Sequence, residues 1–265
     1  MPMLFYYTKN KEPSIWKREN NMRNLTIPEI QVRYDNHQKL HEFEVNELFN
    51  VKRLNKEQYR WLCKGYRHFT VFDIEAQLFD ARMGYVICWY ALRWDILTGK
   101  KEMIYDSLQP EDMKKGYKTK NFDFDIRILQ TLADELSQAD IVVGHYISKF
   151  DLPYVTARCH LTKQDNLLPD YNDFRIIDTW RVTKNKYNLY NSGGNSLRNA
   201  GKIIAGYDDK TSVDLFIWKN IYYKDHPKWK KSLKYICDHC EIDVYQNFDV
   251  FLKEMKRIAV GGASV

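Results

Sequence analysis

Two carboxylates one residue apart close an apolar run at His68 to Glu75, HFTVFDIE. Successive side chains of a strand alternate faces, so Asp73 and Glu75 point one way while Phe72 and Ile74 point the other. Two like charges side by side are best tolerated with a cation between them, and hard divalent ions such as Mg²⁺ or Mn²⁺ prefer carboxylate oxygens. Taken alone, the same pattern is that of two solvated charges at a strand end. Further acidic residues bear on the choice. Asp151 follows GHYISKF, just past the apolar stretch IVV. Asp243 lies within HCEIDV, beside the apolar stripe of a helical pattern rather than opposite it. His239 stands four residues before Asp243, on the same helical face and one turn away, so one helix offers a metal ligand and a titratable base side by side.

The elements that must position these residues begin at His68. After the first strand, Tyr85 to Trp94 and Lys101 to Tyr105 read as two more strands joined by a hairpin turn at Leu97-Thr98-Gly99-Lys100. Phe124 to Leu136 carries Ile128, Leu129, Leu132 and Leu136 at helical spacing, and Ala139 to Gly144 is a short buried strand. Asp151-Leu152-Pro153 opens a helix to about His160, with proline in the first turn where its missing N–H costs nothing. Arg175 to Thr179 reads as a fifth strand, and Ser196 to Ala205 as a helix after a glycine turn. From Pro227 a long helix repeats Trp229, Leu233, Ile236, Cys240, Val244, Phe248, Phe251 and Met255 every three or four residues. Three hairpin-connected strands, a crossover helix and two later strands predict an α/β fold with a mixed five-stranded sheet flanked by helices. Residues 1–65 are polar and rich in Asn and Lys; Thr26-Ile27-Pro28-Glu29 and Asn55-Lys56-Glu57-Gln58 each have the form of a helix start. They predict a small, mostly helical appendage whose Phe5, Tyr6, Tyr7 and Trp16 pack on a main domain of residues 66–258, with a disordered tail over 259–265.

In order and spacing, D-I-E after a strand, G-H-x-x-x-x-F-D-L-P-Y after a later strand and H-C-x-x-D-V in the last helix resemble the three motifs of the DEDD (DnaQ-like) 3′→5′ exonucleases, which have a ribonuclease H-like fold. The likeness runs from about His68 to Met255, and the wording ADIVVGHYISKFDLPYVTAR, IIDTW and YICDHCEIDV is most similar to phage-type stand-alone exonucleases and polymerase proofreading domains. It implies hydrolysis of phosphodiester bonds with two Mg²⁺ or Mn²⁺ ions: Asp73 bridging both, Glu75 and Asp243 holding the ion that carries the attacking water, Asp151 holding the ion at the leaving group, and His239 orienting or deprotonating the water. The family's base is a tyrosine four residues before the last aspartate or a histidine five before it; here a histidine takes the tyrosine's spacing. Tyr235, eight residues before Asp243 and about 12 Å along the helix, is too far to substitute. Candidate substrate contacts are Ile74, Tyr146, Phe150, Trp180 and Ser196. Tyr146, where many relatives carry asparagine, either stacks on a base or sugar or fills space. Phe150 either anchors its helix in the core or touches the terminal nucleotide. The implied substrate is a single-stranded or frayed 3′ end, DNA ahead of RNA, releasing nucleoside monophosphates, with a polymerase or other replication protein as a candidate partner. The competing readings are a catalytically silent nucleic-acid-binding module on the same fold and a ribonuclease H-like endonuclease.

Composition agrees with such a partner. The formal charge over 265 residues is +6. Arg181 to Tyr235 alone holds 12 Lys/Arg against 4 Asp/Glu, so a basic tract that attracts phosphates lies beside acidic groups suited to metal, unless it is a solvated lysine-rich surface. Cysteines at 63, 88, 159, 237 and 240 are odd in number and irregular in spacing, which argues for a reducing compartment. Cys237, His239 and Cys240 with Cys159 and His160 have the ligand types of a zinc site but not its paired spacing, and small core residues are the competing reading for the cysteines. Asp178 reads as a helix N-cap or as a carboxylate behind the ligands. No window approaches the roughly 20 apolar residues that cross a bilayer, and the start lacks a signal-peptide core, so the expectation is a soluble cytoplasmic protein, in the host cytoplasm if viral.

Overall fold

The computed structural model describes residues 25–119, 123–167, 174–207, 214–223 and 225–259. Strands β1 (His68–Ala76), β2 (Val86–Asp95) and β3 (Lys101–Ser107) form an antiparallel meander. The β2–β3 turn closes through Asp95, whose N–H donates to Lys100 O (3.0 Å), and Gly99 takes φ +76°, a left-handed conformation suited to a residue without Cβ. Helices α4 (Pro110–Thr119) and α5 (Ile126–Leu136) then carry the chain across to β4 (Ile141–Gly144), which pairs parallel with β1. Helix α6 (Asp151–Leu161) leads towards β5 (Arg175–Asp178), parallel to β4. The order β3-β2-β1-β4-β5 gives the mixed five-stranded sheet expected of a ribonuclease H-like fold.

Both faces of the sheet are covered, and for this reason β1 is buried without a break from Phe69 to Phe72, Thr70 included. The period of two on β2 separates the layers. Trp89 Nε1 donates to Ile128 O of α5 (3.1 Å) and Arg93 pairs with Glu135 of the same helix, whereas Cys88 and Trp94 face the long helix α10 (Trp229–Glu254). Across the ladder Asp73 stands opposite Tyr90 and Glu75 opposite Cys88, so both carboxylates lie on the α10 face. Helix α10 lays Ile236, Cys240, Val244, Phe248 and Phe251 against that face, with Phe251 5.8 Å from Phe69 and Phe248 5.5 Å from Trp94 between ring centres. Each such side chain taken from water contributes about 1.5–3 kcal/mol before the entropy of ordering is subtracted.

Residues 25–62 form α1 (Ile27–Asp35), α2 (Glu42–Leu48) and α3 (Lys56–Leu62). The first and third begin with the reciprocal caps their sequences predict: Thr26 N donates to Glu29 Oε2 (2.7 Å), and Asn55 N donates to Gln58 Oε1 (2.8 Å) while Gln58 N returns a bond to Asn55 Oδ1 (2.9 Å). Ile30, Val45, Trp61 and Leu62 are buried in the same core as the sheet, Trp61 meeting Phe69 edge-on at 5.3 Å. Arg60 adds a tie to the end of α10 through Met255 O (2.8 Å). Phe5, Tyr6, Tyr7, Trp16 and the tail beyond residue 259 lie outside the described residues.

Helices α2 and α4, and a short helix over Leu215–Lys219, were not expected from the sequence, whereas α7 (Thr179–Lys186) follows from Asp178 read as a helix N-cap. The helix anticipated over Ser196 to Ala205 is one turn, α8 (Leu197–Ala200), followed by a widened turn over Gly201–Ala205. The widened turn begins where the chain packs closely on α10: a Cβ on Gly201 would fall 1.7 Å from Gln246 Nε2. Helix α9 (Leu215–Lys219) precedes α10, and no helix among the described residues is long and apolar enough to cross a membrane.

One buried ion pair fixes α6, the helix that opens with Asp151. Arg158 Nε and Nη2 donate to Asp125 Oδ2 and Oδ1 (2.9 and 2.8 Å), and the same carboxylate accepts from Val86 N (2.9 Å), joining α6, α5 and β2. A buried cation left without its partner is more costly than the pair is worth. Asp125→Ala is therefore expected to lower unfolding free energy by about 3–5 kcal/mol in urea titration, and Asp125→Ala/Arg158→Met to recover most of the loss. A double variant no more stable than the single one would refute this account.

Candidate active site

Strand length builds the site. β4 stops at Gly144, paired with β1 only as far as Val71, so β1 runs on past its parallel neighbour from Phe72 to Ala76. Into the space beyond β4 comes the loop 145–150 and then the first residue of α6. Asp151, 3% exposed, accepts from Ile74 N through Oδ1 at 3.2 Å, giving a β1 amide beyond the end of β4 a hydrogen-bond partner.

From the opposite side α10 brings its carboxylate. His239 Nε2 lies 4.0 Å from Glu75 Oε1 and 4.0 Å from Asp243 Oδ2, and one ligand atom from each of these three residues falls within 4.8 Å of the other two. One residue along α10, Cys240 Sγ sits 3.4 Å from Asp73 O and 3.6 Å from Asp73 Oδ2. Asp151 also lies within electrostatic reach of Asp243 and Asp178. The structure thus brings Asp73, Glu75, Asp151, His239 and Asp243 to one end of the sheet from β1, α6 and α10.

Burial pushes the Asp151 carboxyl up to about 7; the hydrogen bonds from backbone N–H groups oppose this, and the charges of Asp178 and Asp243 add to it. Hard oxygen donors with an imidazole beside them, in excess of negative charge, form a donor set suited to divalent cations and to activating a water for hydrolysis.

A cleft of about 550 Å³ opens on these groups, lined by Ile74, Glu75, Phe79, Phe150, Trp218, Lys219, His239 and Asp243 among others. Of the expected substrate contacts, Ile74 and Phe150 line it. Tyr146, Trp180 and Ser196 do not. Tyr146 has φ +66°, unusual for a residue with a Cβ, and its N–H donates to Asp178 Oδ1 (3.0 Å). Its ring packs edge-on against Trp180 at 5.1 Å, with Lys184 Nζ 4.9 Å above the Trp180 ring. Ser196 is exposed and caps α8 through Asn199 N (3.4 Å). Asp178 is the N-cap of α7, accepting from Trp180 N (3.1 Å), and it also holds the 145–150 loop through Tyr146 N and Ser148 N (3.2 Å).

The zinc alternative does not assemble: Cys237 and Cys240 face Cys88, Cys159 is buried, and His160 pairs with Asp165 on the surface. Three cleft residues were not among the expected contacts. Phe79 is 87% exposed in the β1–β2 connection and meets Phe150 edge-on at 5.9 Å. Trp218 stands perpendicular to both His239 and Tyr235 at 6.3 Å, and Lys219 follows it at the rim.

No family model matches the chain, and no curated protein matches it. Among solved structures, the family B DNA polymerase from the hyperthermophilic archaeon Pyrobaculum calidifontis is similar at a TM-score of 0.48 and 15% identity over 71% of this chain. The match covers 24% of the polymerase, so the chain spans about a quarter of that protein's length.

The Asp151 carboxyl has a pH consequence. Its proton is kept up to about pH 7 in the folded chain and released near 4 when unfolded. Its contribution to stability is therefore complete below about pH 4 and lost as pH rises through 7. In chelator, the urea midpoint of the unmutated chain should fall between pH 5 and pH 8 by more than that of Asp151→Asn. Parallel profiles for the two proteins would show that Asp151 does not titrate in this range.

Proposed function

We propose that the chain is a two-metal-ion 3′→5′ exonuclease acting on the 3′ end of single-stranded or frayed nucleic acid, DNA in the first instance, and releasing nucleoside monophosphates. The observation that carries this reading is the gathering of Asp73, Glu75, Asp151 and Asp243, drawn from three separate segments, at one end of the sheet, with His239 beside Glu75 and Asp243. The fit to divalent ions rests on the donors themselves: oxygen ligands, and a carboxyl at Asp151 held protonated by burial and neighbouring charge, which a cation would relieve. Asp73, Glu75, Asp151 and Asp243 would hold the ions. The chemistry supplied there is a lowered pKa for the attacking water and neutralised charge on the entering and departing oxygens.

The remaining work falls to the chain. His239 Nε2, 4.0 Å from a Glu75 and an Asp243 oxygen, is placed to take the proton of a water lying between those carboxylates. Ile74, Phe79, Phe150 and Trp218 give the cleft apolar walls that suit a base. A polymerase or other replication protein is the partner that this activity would serve.

Digestion of matched 5′-labelled single-stranded DNA and RNA with Mg²⁺ or Mn²⁺ tests the reading. Labelled strands should shorten one nucleotide at a time, and Asp73→Ala should abolish the ladder. Internal cuts would point to an endonuclease, and no cutting under any of these conditions to a silent binding module.

A second expectation separates a base from a ligand. His239→Ala should slow turnover by about 10²–10⁴-fold while Mn²⁺ affinity, read by calorimetry, stays within a few-fold of the unmutated chain. Turnover that does not change removes His239 from the mechanism, and lost Mn²⁺ binding makes it a ligand.

A further inference from the structure

A second cleft, of about 560 Å³, shares α9 with the first as a wall. Trp218 and Lys219 line the carboxylate cleft, whereas Phe216 and Ile217 line this one. Its other side is the start of α10, where Lys228, just before the helix, and Lys231 and Lys234, in its first two turns, all line the groove. Asp238 holds Lys234 at 2.7 Å, and Asp214, also in the lining, turns its carboxylate to Phe216 N (2.9 Å). Among the described residues no ion pair engages Lys228 or Lys231. Beside them Phe216 is 73% exposed, with Lys219 Nζ 4.8 Å over its ring.

Unengaged ammonium groups in a row, next to an exposed aromatic face, are the two elements by which proteins hold single strands: charge for the phosphates and a ring for the bases. The row also leads to the site. Lys231 precedes His239 by eight residues, about 12 Å along the helix axis. Tyr235, between them, packs on Trp218, which packs on His239.

We propose that this groove binds the substrate strand on the 5′ side of the scissile bond, Lys228 and Lys231 each meeting a backbone phosphate while Phe216 offers its ring to a base. The inference rests on the nuclease reading of the neighbouring cleft and adds to it the path by which the strand arrives. Contacts away from the reacting bond hold longer substrates without altering chemistry on the shortest ones.

The test uses the full chain, Lys228→Ala/Lys231→Ala, and Lys52→Ala/Arg53→Ala, which removes the same charge from exposed positions outside the groove. Binding of a fluorescein-labelled ten-nucleotide single strand in chelator, followed by anisotropy, reads the groove without turnover; hydrolysis of that strand and of a dinucleotide with Mg²⁺ reads the site. For the groove variant the dissociation constant of the ten-nucleotide strand should rise by about tenfold, and the log–log salt slope of binding should shrink by about 1.4, at roughly 0.7 per lost phosphate contact. Its turnover of the dinucleotide should match that of the unmutated chain, and the control variant should bind the long strand as the unmutated chain does. An unchanged dissociation constant and slope in the groove variant overturn the proposal, as does an equal loss in both variants. Absence of hydrolysis by the unmutated chain alongside the expected binding shift would instead sink the nuclease reading, and leave the groove as a single-strand site.

Discussion

The structure turns on negative charge crowded into a low-dielectric corner at the end of β1. An ionised carboxylate withdrawn from water must find a cation, hydrogen-bond donors or a proton. Elsewhere this chain meets its buried acids separately, with these solutions in different mixtures. Asp125 is met by the guanidinium of Arg158, Asp178 by three backbone N–H groups, and Glu254 by its own proton, its carboxyl pushed up to about 8 chiefly by burial while Thr183 Oγ1 donates to it at 2.7 Å. At the β1 end the acids are gathered rather than dispersed. Asp151 there is only partly relieved by the Ile74 amide, and Asp178 and Asp243 work against its ionisation. A fold that satisfies its other buried acids one at a time gathers this group into one corner, as a set of oxygen donors of the kind hard divalent cations prefer.

That corner exists because two lengths differ and one residue is small. β4 ends four residues after Asp140, so β1 projects beyond it and α6 can start against an open strand edge. On the other face α10 must come close enough for Asp243 to approach Glu75. It does so with Cys240 at the point of contact, where Sγ rests on the backbone carbonyl and carboxylate of Asp73. A bulkier side chain there would lift the helix from the sheet and carry His239 and Asp243 away with it. The core contacts of Phe248 and Phe251 further along α10 therefore position the site as well as stabilise the fold.

Much of this was legible because it is periodic or local. The alternation of β1 put Asp73 and Glu75 on one face, the repeat from Trp229 to Met255 gave the long helix, and the four-residue interval gave the His239–Asp243 pairing. Reciprocal caps at Thr26 and Asn55 marked helix starts correctly. The rest depends on encounters between distant segments. Nothing in LFIWKN announces that Trp218 will stand against His239, nor in AQLFD that Phe79 will reach Phe150 while staying exposed. Tyr146 and Trp180 were singled out as aromatics near the motifs. Their placement was decided by Asp178, which draws the loop back by its amides and sets the two rings against each other.

The histidine at the tyrosine's spacing follows from the same geometry. Side chains four apart on a helix stack one turn from each other, so any residue at 239 is directed at the space between Asp243 and the β1 carboxylates. A tyrosine would place a hydroxyl farther out, whereas imidazole ends closer to the helix. The shorter reach demands a nearer target and a fixed ring. Here Nε2 is equidistant from Glu75 and Asp243, and the perpendicular face of Trp218 bounds the imidazole behind. With carboxylates on one side and an indole on the other, the ring is confined between them. A histidine can stand at this interval without moving the acids that surround it.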